Sequence, residues 1–285
     1  MTSKQISIPD HTAVRVALWR AMHAQIDAKP LVFDDEIGLQ LIAPDESWKQ
    51  RPDMHPQGTR GYRASIVARA RFIEDLVQEQ LQKGVTQYVI LGAGLDSFVQ
   101  RRPEVASKLV VFEIDKPETQ AWKQKRLKDL GFTLPSHLKF VPVDFEGGDS
   151  WWEKLTQAGF DVNKPAVVAS TGVAMYLTPA ANLATMQQLS TLAAGSVLAM
   201  TFMLPTHLVD AEDQEQYEMV QQRARAAGTP FLSLFQPSEI LQLAKQAHFQ
   251  SVQHISKNDI VKRYFANRTD GLAPSSGEEF LIAKT

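Results

Sequence analysis

The spacing of hydrophobic positions changes several times along the chain, and each change marks an element. Residues 10–28 carry Val14, Ala17, Leu18, Ala21 and Met22 at helical spacing, which predicts a helix. A loop-rich segment of Pro, Asp, Gly and Arg follows over 29–62. From Tyr62 to Gly84 the positions of Ile66, Ala70, Ile73, Leu76, Val77 and Leu81 describe an amphipathic helix that stops at Lys83-Gly84. The pattern then becomes short continuous apolar runs. Tyr88–Leu91 and Leu109–Phe112 are two of them, with room for one short helix between. Runs at Lys139–Val143, Ala166–Ala169 and Ser196–Met203 are separated by helical stretches over 116–130, 149–158 and 179–194. The last of these is capped by Thr178, with Pro179 in its first turn. Helices over 207–227 and 237–247 and strands over 251–255 and 278–283 complete the pattern.

Strands apolar on both faces and alternating with helices predict an α/β fold, a doubly wound, mostly parallel seven-stranded sheet of the Rossmann-like kind. No repeat, low-complexity tract or linker divides the chain, so residues 1–285 read as one domain. Residues 1–60 and 205–236 have no place in the minimal sheet and are long enough to act as lids over a cleft.

Composition narrows the partners. A formal charge of −2 over 285 residues gives no basic surface for nucleic acid or an anionic membrane, leaving a small molecule or another protein surface. The absence of cysteine excludes disulfides, thiolate zinc sites and a cysteine nucleophile, and is compatible with a reducing compartment. Met1–Val16 lacks the apolar segment of a secretory signal, and no stretch approaches the roughly 18 apolar residues of a spanning helix, so a cytoplasmic location is expected. The seven histidines show no HExxH or other metal spacing, and no catalytic metal is expected.

Candidate chemistry sits at the ends of the apolar runs, where open α/β sheets bind ligands. In Leu91-Gly92-Ala93-Gly94-Leu95-Asp96-Ser97 two glycines allow a sharp turn and close approach of the backbone to a ligand. A dinucleotide turn would carry a third glycine and aim helix amides at a pyrophosphate. Here Ser97 occupies that third position, and Asp96 places a negative charge where phosphate would lie. A cationic ligand such as S-adenosylmethionine, with its ammonium and sulfonium, is the better match. About 20 residues on, Glu113-Ile114-Asp115 offers acids at the distance expected for ribose hydroxyls. Asp144-Phe145 could accept from an adenine amino group and lay a ring on the base.

These residues resemble the leucine carboxyl methyltransferase-like family of S-adenosylmethionine enzymes, including its bacterial O-methyltransferase branch. The matching stretches are Gln87–Ser97, Val111–Pro117, Val143–Phe145 and Met175–Pro179, within roughly residues 60–205. The resemblance implies that Gly92, Ala93 and Gly94 line the methionine moiety, Asp115 holds the ribose, and Asp144 with Phe145 frames the adenine. It also implies an arginine before the first strand that pairs with the methionine carboxylate; Arg69 is favoured over Arg63 and Arg71. The chain departs from the family at Thr171, where a glutamate is usual, and at Phe145, where leucine is more common. A hydroxyl at Thr171 could still accept a hydrogen bond from the ligand.

The expected reaction is methyl transfer to a carboxylate or hydroxyl oxygen held in line with the methyl group. A carboxylate needs no base, whereas a hydroxyl benefits from one. Tyr176 and His207 are the candidate catalytic residues, with Asp210 and His55 as further bases. Trp19, Phe33, Trp48, Phe231, Leu232, Leu234 and Phe235 could wall a cavity for an apolar or aromatic small molecule. The alternatives are a cofactor-binding regulator without turnover, a protein C-terminal carboxyl methyltransferase, and an NAD-dependent oxidoreductase, which Asp96 and Ser97 disfavour.

Overall fold

The computed structural model describes residues 11–145 and 148–285; residues 1–10, the start of the expected N-terminal lid, lie outside the described residues. In chain order the elements are α1 (His11–Ile26), α2 (Ile37–Ile42), α3 (Arg60–Gln82), β1 (Gln87–Leu91), α4 (Phe98–Arg101), α5 (Pro103–Ala106) and β2 (Val110–Asp115). Then come α6 (Pro117–Asp129), β3 (Leu138–Pro142), α7 (Trp151–Gln157), β4 (Ala166–Ser170), α8 (Pro179–Ser190) and β5 (Val197–Met203). The chain ends with α9 (Ala211–Ala226), α10 (Pro237–Gln246), β6 (Ser251–Ile255), α11 (Lys257–Tyr264) and β7 (Glu278–Lys284). Short 3-10 turns occupy Glu46–Gln50, Pro52–Met54, Ala174–Tyr176 and Thr206–Leu208.

The strands form one sheet in the order β3-β2-β1-β4-β5-β7-β6. Pairing is parallel from β3 to β5, while β7 runs antiparallel between β5 and β6. Successive side chains of β1 serve opposite layers. Val89 and Leu91 pack in one core with Leu155, Met186 and Ile240, and Tyr88 and Ile90 pack in the other with Val67, Phe72 and Ile260. Helices on both faces therefore account for strands without polar alternation. A smaller cluster joins Val14, Leu18 and Met22 of α1 to Trp48 and Met54. Among the described residues no helix is long and apolar enough to cross a membrane.

Several elements differ from the sequence expectation, among them α2, a short helix inside the segment read as loop-rich over 29–62. The space between β1 and β2 holds two short helices, because Pro103 cannot continue α4 and instead opens α5 at its first turn. Helix α11 was not expected: it is short and polar, but Ser256 and Asp259 close a reciprocal capping box that satisfies its first amides. Thr178 caps α8 as expected, accepting from the Ala181 amide at 3.2 Å.

Candidate active site

Strand order reverses beside β1, which lies between β2 and β4 and so opens a crevice at their carboxyl ends. The glycine loop lies at this point. Its Gly92 and Ala93 amides donate to the Ile114 carbonyl at 2.9 and 3.0 Å, folding the loop onto the end of β2. Gly92 and Gly94 have φ of 69° and 50°, a conformation that side chains disfavour. A Cβ on Gly92 would also lie 2.6 Å from Val173 Cγ2, so the loop and the exit of β4 approach too closely for any other residue.

Asp115 fixes this turn. Its Oδ2 accepts from the Gly94 amide at 2.5 Å and its Oδ1 from the Lys116 amide at 2.7 Å. Each oxygen keeps acceptor capacity for a further donor. Burial pushes the carboxyl up, and the two amides pull the other way. On the next strand the Val143 amide donates to the Asp115 carbonyl at 3.0 Å, which sets Asp144 and Phe145 beside it. Both are exposed, with Phe145 at 47%.

Two of the expected cofactor acids have other partners. Asp96 Oδ1 accepts from the Phe98 amide, the first of α4, at 2.8 Å. Glu113 corrects the sequence reading outright: it is 1% exposed and bound at 2.6 Å to the equally buried Lys123 of α6, beneath the crevice. Burial pushes the Glu113 carboxyl up, with the Lys123 ammonium acting against it. Glu113 therefore anchors α6 to the sheet.

The three arginines of α3 separate clearly. Arg63 is buried on Asp27 at 2.7 Å, and Arg71 is exposed beside Asp75. Arg69 reaches the exit of β4, where a Cβ on Gly172 would lie 3.2 Å from its Nη1. The same nitrogen donates to both Glu278 oxygens, at 2.8 and 3.2 Å. Thr171 is half-buried directly after β4, and the Gly172 amide that follows donates to Thr201 Oγ1 at 2.8 Å.

Underneath, the N-terminal segment is tied to the glycine loop by a buried ion network that the sequence did not disclose. Asp35, 1% exposed, accepts from Arg20 Nε at 2.7 Å and from Ser97 Oγ at 2.6 Å, with Arg101 Nε at 3.6 Å. Burial opposes the Asp35 charge, but Arg20 and Arg101 prevail and hold the carboxyl below its ordinary value. Arg20 also donates to the Leu95 carbonyl at 2.7 Å.

A cavity of about 60 Å³ lies beside the Arg69–Glu278 pair. Trp19 and Tyr62, stacked at 5.8 Å, line it with Ile66, Met203, Asp213, Tyr217 and Glu278. Of the aromatic wall expected from sequence, Trp19 alone is in this lining. Trp48, Phe33 and Phe235 are core residues, and Leu232 is exposed. Tyr62 and Tyr217 replace them, brought from α3 and α9. Burial raises both phenols, Tyr62 to about 12, so they stay protonated at neutral pH. Tyr217 spends its proton on the Leu204 carbonyl at 2.6 Å.

The expected catalytic residues lie off this cavity. Tyr176 packs edge-on against Phe231 at 5.7 Å, and His207 is exposed on the turn after β5. His55 accepts from the Gly58 amide at 3.0 Å, and Asp210 pairs with Lys257 at 2.6 Å. Two acids face the cavity, Glu278 and Asp213 of α9. Asp213 is the one clear of Arg69. It accepts from the Ser276 amide and hydroxyl at 2.8 and 2.9 Å.

Gly277 sets how closely α9 closes over this wall, because a Cβ there would lie 2.5 Å from Tyr217 Cε2. Gly277→Ala is expected to destabilise the fold by about 1–3 kcal/mol through overpacking. Urea unfolding checks it, and an unchanged midpoint would show that Tyr217 is free to move aside.

A family model described as leucine carboxyl methyltransferase matches residues 13–190. YktD of Bacillus subtilis (strain 168), named as an S-adenosyl-L-methionine-dependent methyltransferase, is 33% identical over 286 residues, covering 92% of this chain and 93% of its own. A relative from Mycobacterium sp. (strain JLS) with the same designation is 34% identical over 220 residues, covering 73% of this chain and 69% of its own. A crystal structure of a Thermobifida fusca YX protein described as a methyltransferase superposes with a TM-score of 0.59 over 99% of this chain and 96% of that one, at 18% identity, which speaks for the fold. Motifs, match and architecture agree, and the chain belongs to the leucine carboxyl methyltransferase family of S-adenosylmethionine-dependent methyltransferases.

Proposed function

We propose that this methyltransferase acts on oxygen, transferring the methyl group to a carboxylate or hydroxyl of an apolar or aromatic small molecule in the cytoplasm. The observation that carries this reading is the aromatic cavity of Trp19, Tyr62 and Tyr217 beside the Arg69–Glu278 pair, on the sheet edge that also bears the glycine loop.

The residues present fit the cofactor. Gly92 leaves no room for a Cβ against Val173, a Cβ on Gly172 would crowd the Arg69 guanidinium, and Gly94 presents its backbone under Asp115 control. In this reading Asp115 accepts from the ribose hydroxyls. Asp144 and Phe145 meet the adenine, and Arg69 binds the methionine carboxylate. Ala93, Asp96 and Thr171 complete the contour. The bound sulfonium supplies an electrophilic methyl group; the protein's part is to align an oxygen with it and keep water out. Segments 11–60 and 205–236 act as the covers. For a hydroxyl acceptor Asp213 is the candidate base, oriented by its two donors from Ser276. In this reading the acceptor lies against α9, whose Asp213 and Tyr217 line the cavity.

Incubation with methyl-labelled S-adenosylmethionine and a panel of aromatic acids, phenols and alcohols tests the reading. Transfer to oxygen is expected. Mild alkali then separates the two acceptors, because it releases labelled methanol from an ester and leaves an ether intact. Label fixed on nitrogen or carbon overturns the oxygen assignment.

A further inference from the structure

We propose that Glu278 binds the ammonium of the cofactor's amino-acid end, so that Arg69 and Glu278 act together as a fixed receptor for a zwitterion. The proposal rests on the cofactor reading above and adds a residue to it from outside the matched family segment, which ends at residue 190.

The layout of the sheet carries the argument. The ligand's ribose end is assigned to Asp115 at the exit of β2, and β1 separates β2 from β4. Neighbouring strands are about 4.8 Å apart, so the exit of β4 lies roughly 10 Å further on, about the span from the ribose hydroxyls past the sulfur to the amino-acid end. That exit is where the Arg69 guanidinium rests over Gly172. An α-amino acid end brings a carboxylate and an ammonium together, and its desolvation is offset only if both charges find partners. Arg69 can answer the carboxylate, because Nη1 is engaged with Glu278 while its fork has further donors.

The ammonium needs an acid, and position 171, directly after β4, is threonine. The other acids of the crevice are committed or distant. Asp96 accepts from the first amide of α4, Glu113 is buried on Lys123, Asp213 accepts from the Ser276 amide and hydroxyl, and Asp115 and Asp144 are assigned to the ribose and adenine side. Glu278 is 13% exposed at its side chain, lines the cavity and touches the Arg69 guanidinium that rests over Gly172, so its carboxylate stands at the β4 exit with a side open to the cavity. Strand geometry explains why it faces this way. Glu278 and Glu279 open β7 on opposite faces, and Glu279 is taken by His254 at 2.6 Å and the Lys257 amide at 3.1 Å.

The test compares two ligands that share the adenosine part. S-adenosylhomocysteine carries the amino-acid end, and 5′-methylthioadenosine lacks it. Calorimetric titration of Glu278→Gln is expected to show S-adenosylhomocysteine binding weakened roughly 10- to 100-fold, as for a lost charge-assisted hydrogen bond. 5′-Methylthioadenosine should change less than about twofold. Adding Thr171→Glu to Glu278→Gln should restore most of the lost affinity by returning a carboxylate to the same end of the crevice. An equal loss for both ligands, or none for either, overturns the proposal and leaves Glu278 as a strut between α3 and β7. Wild-type protein that binds neither ligand would instead defeat the cofactor assignments themselves. Should Glu278→Gln not fold, Glu278→Asp keeps the charge while withdrawing it by one methylene. The same ligand-selective loss, smaller in size, is then expected, and a non-selective result overturns the proposal equally.

Discussion

Asp115→Ala is expected to weaken S-adenosylmethionine binding by on the order of 100-fold or more, the loss of two charge-assisted hydrogen bonds to ribose. The fold should survive, because Asp115 lies at the end of β2 and the core residues of that strand precede it. The variant also releases the Gly94 amide, so the glycine loop loses its anchor together with the ligand contact. Asp115→Asn separates the two effects: it retains an acceptor for one amide and loses the charge. Titration calorimetry gives the affinity and circular dichroism the fold. Wild-type affinity in the alanine variant would remove Asp115 from the site.

Asp35→Asn is expected to have the largest effect on stability, about 3–5 kcal/mol, because it leaves the Arg20 guanidinium buried without its counter-charge. Urea unfolding measures this. Replacing both partners by apolar residues, Arg20→Met with Asp35→Leu, should recover a large part of the loss, since no unpaired charge then stays inside. A midpoint equal to wild type in Asp35→Asn would show the network to be energetically idle. The sign with pH follows from the lowered carboxyl. Its contribution is fully present above the ordinary aspartate range and is lost as pH falls through the depressed native value. Asp35 also accepts from Ser97 of the glycine loop, so the variant should loosen the loop and the N-terminal segment together.

Particular residues show how far the sequence could be read. The apolar runs located β1 to β5, because a strand covered on both faces is largely apolar, whereas β6 and β7, expected at 251–255 and 278–283, carry polar residues as well. The glycine turn and the distance to Asp115 were legible for a similar reason: backbone conformation restricts residue type locally, and φ of 69° and 50° confirm that restriction. Glu113 shows the limit. In the linear pattern it stands next to Asp115 and shares its chemistry, but Lys123 folds back from α6 and claims it. Tyr62, Asp213, Tyr217 and Glu278 were not singled out at all. Each is unremarked in its own segment and acquires meaning from neighbours far along the chain, as Arg69 and Glu278 do across 209 positions.

The sequence by itself determined the order and type of most elements, the family, and the cofactor it uses, because period, turn chemistry and motif spacing are constraints between residues close in the chain. Tertiary structure alone decided which acids face the crevice, which are buried as struts, and which aromatic rings meet beside Glu278. Those outcomes depend on helix and strand ends converging from distant segments, and on the cost of burying a charge, which selects partners that no local pattern encodes.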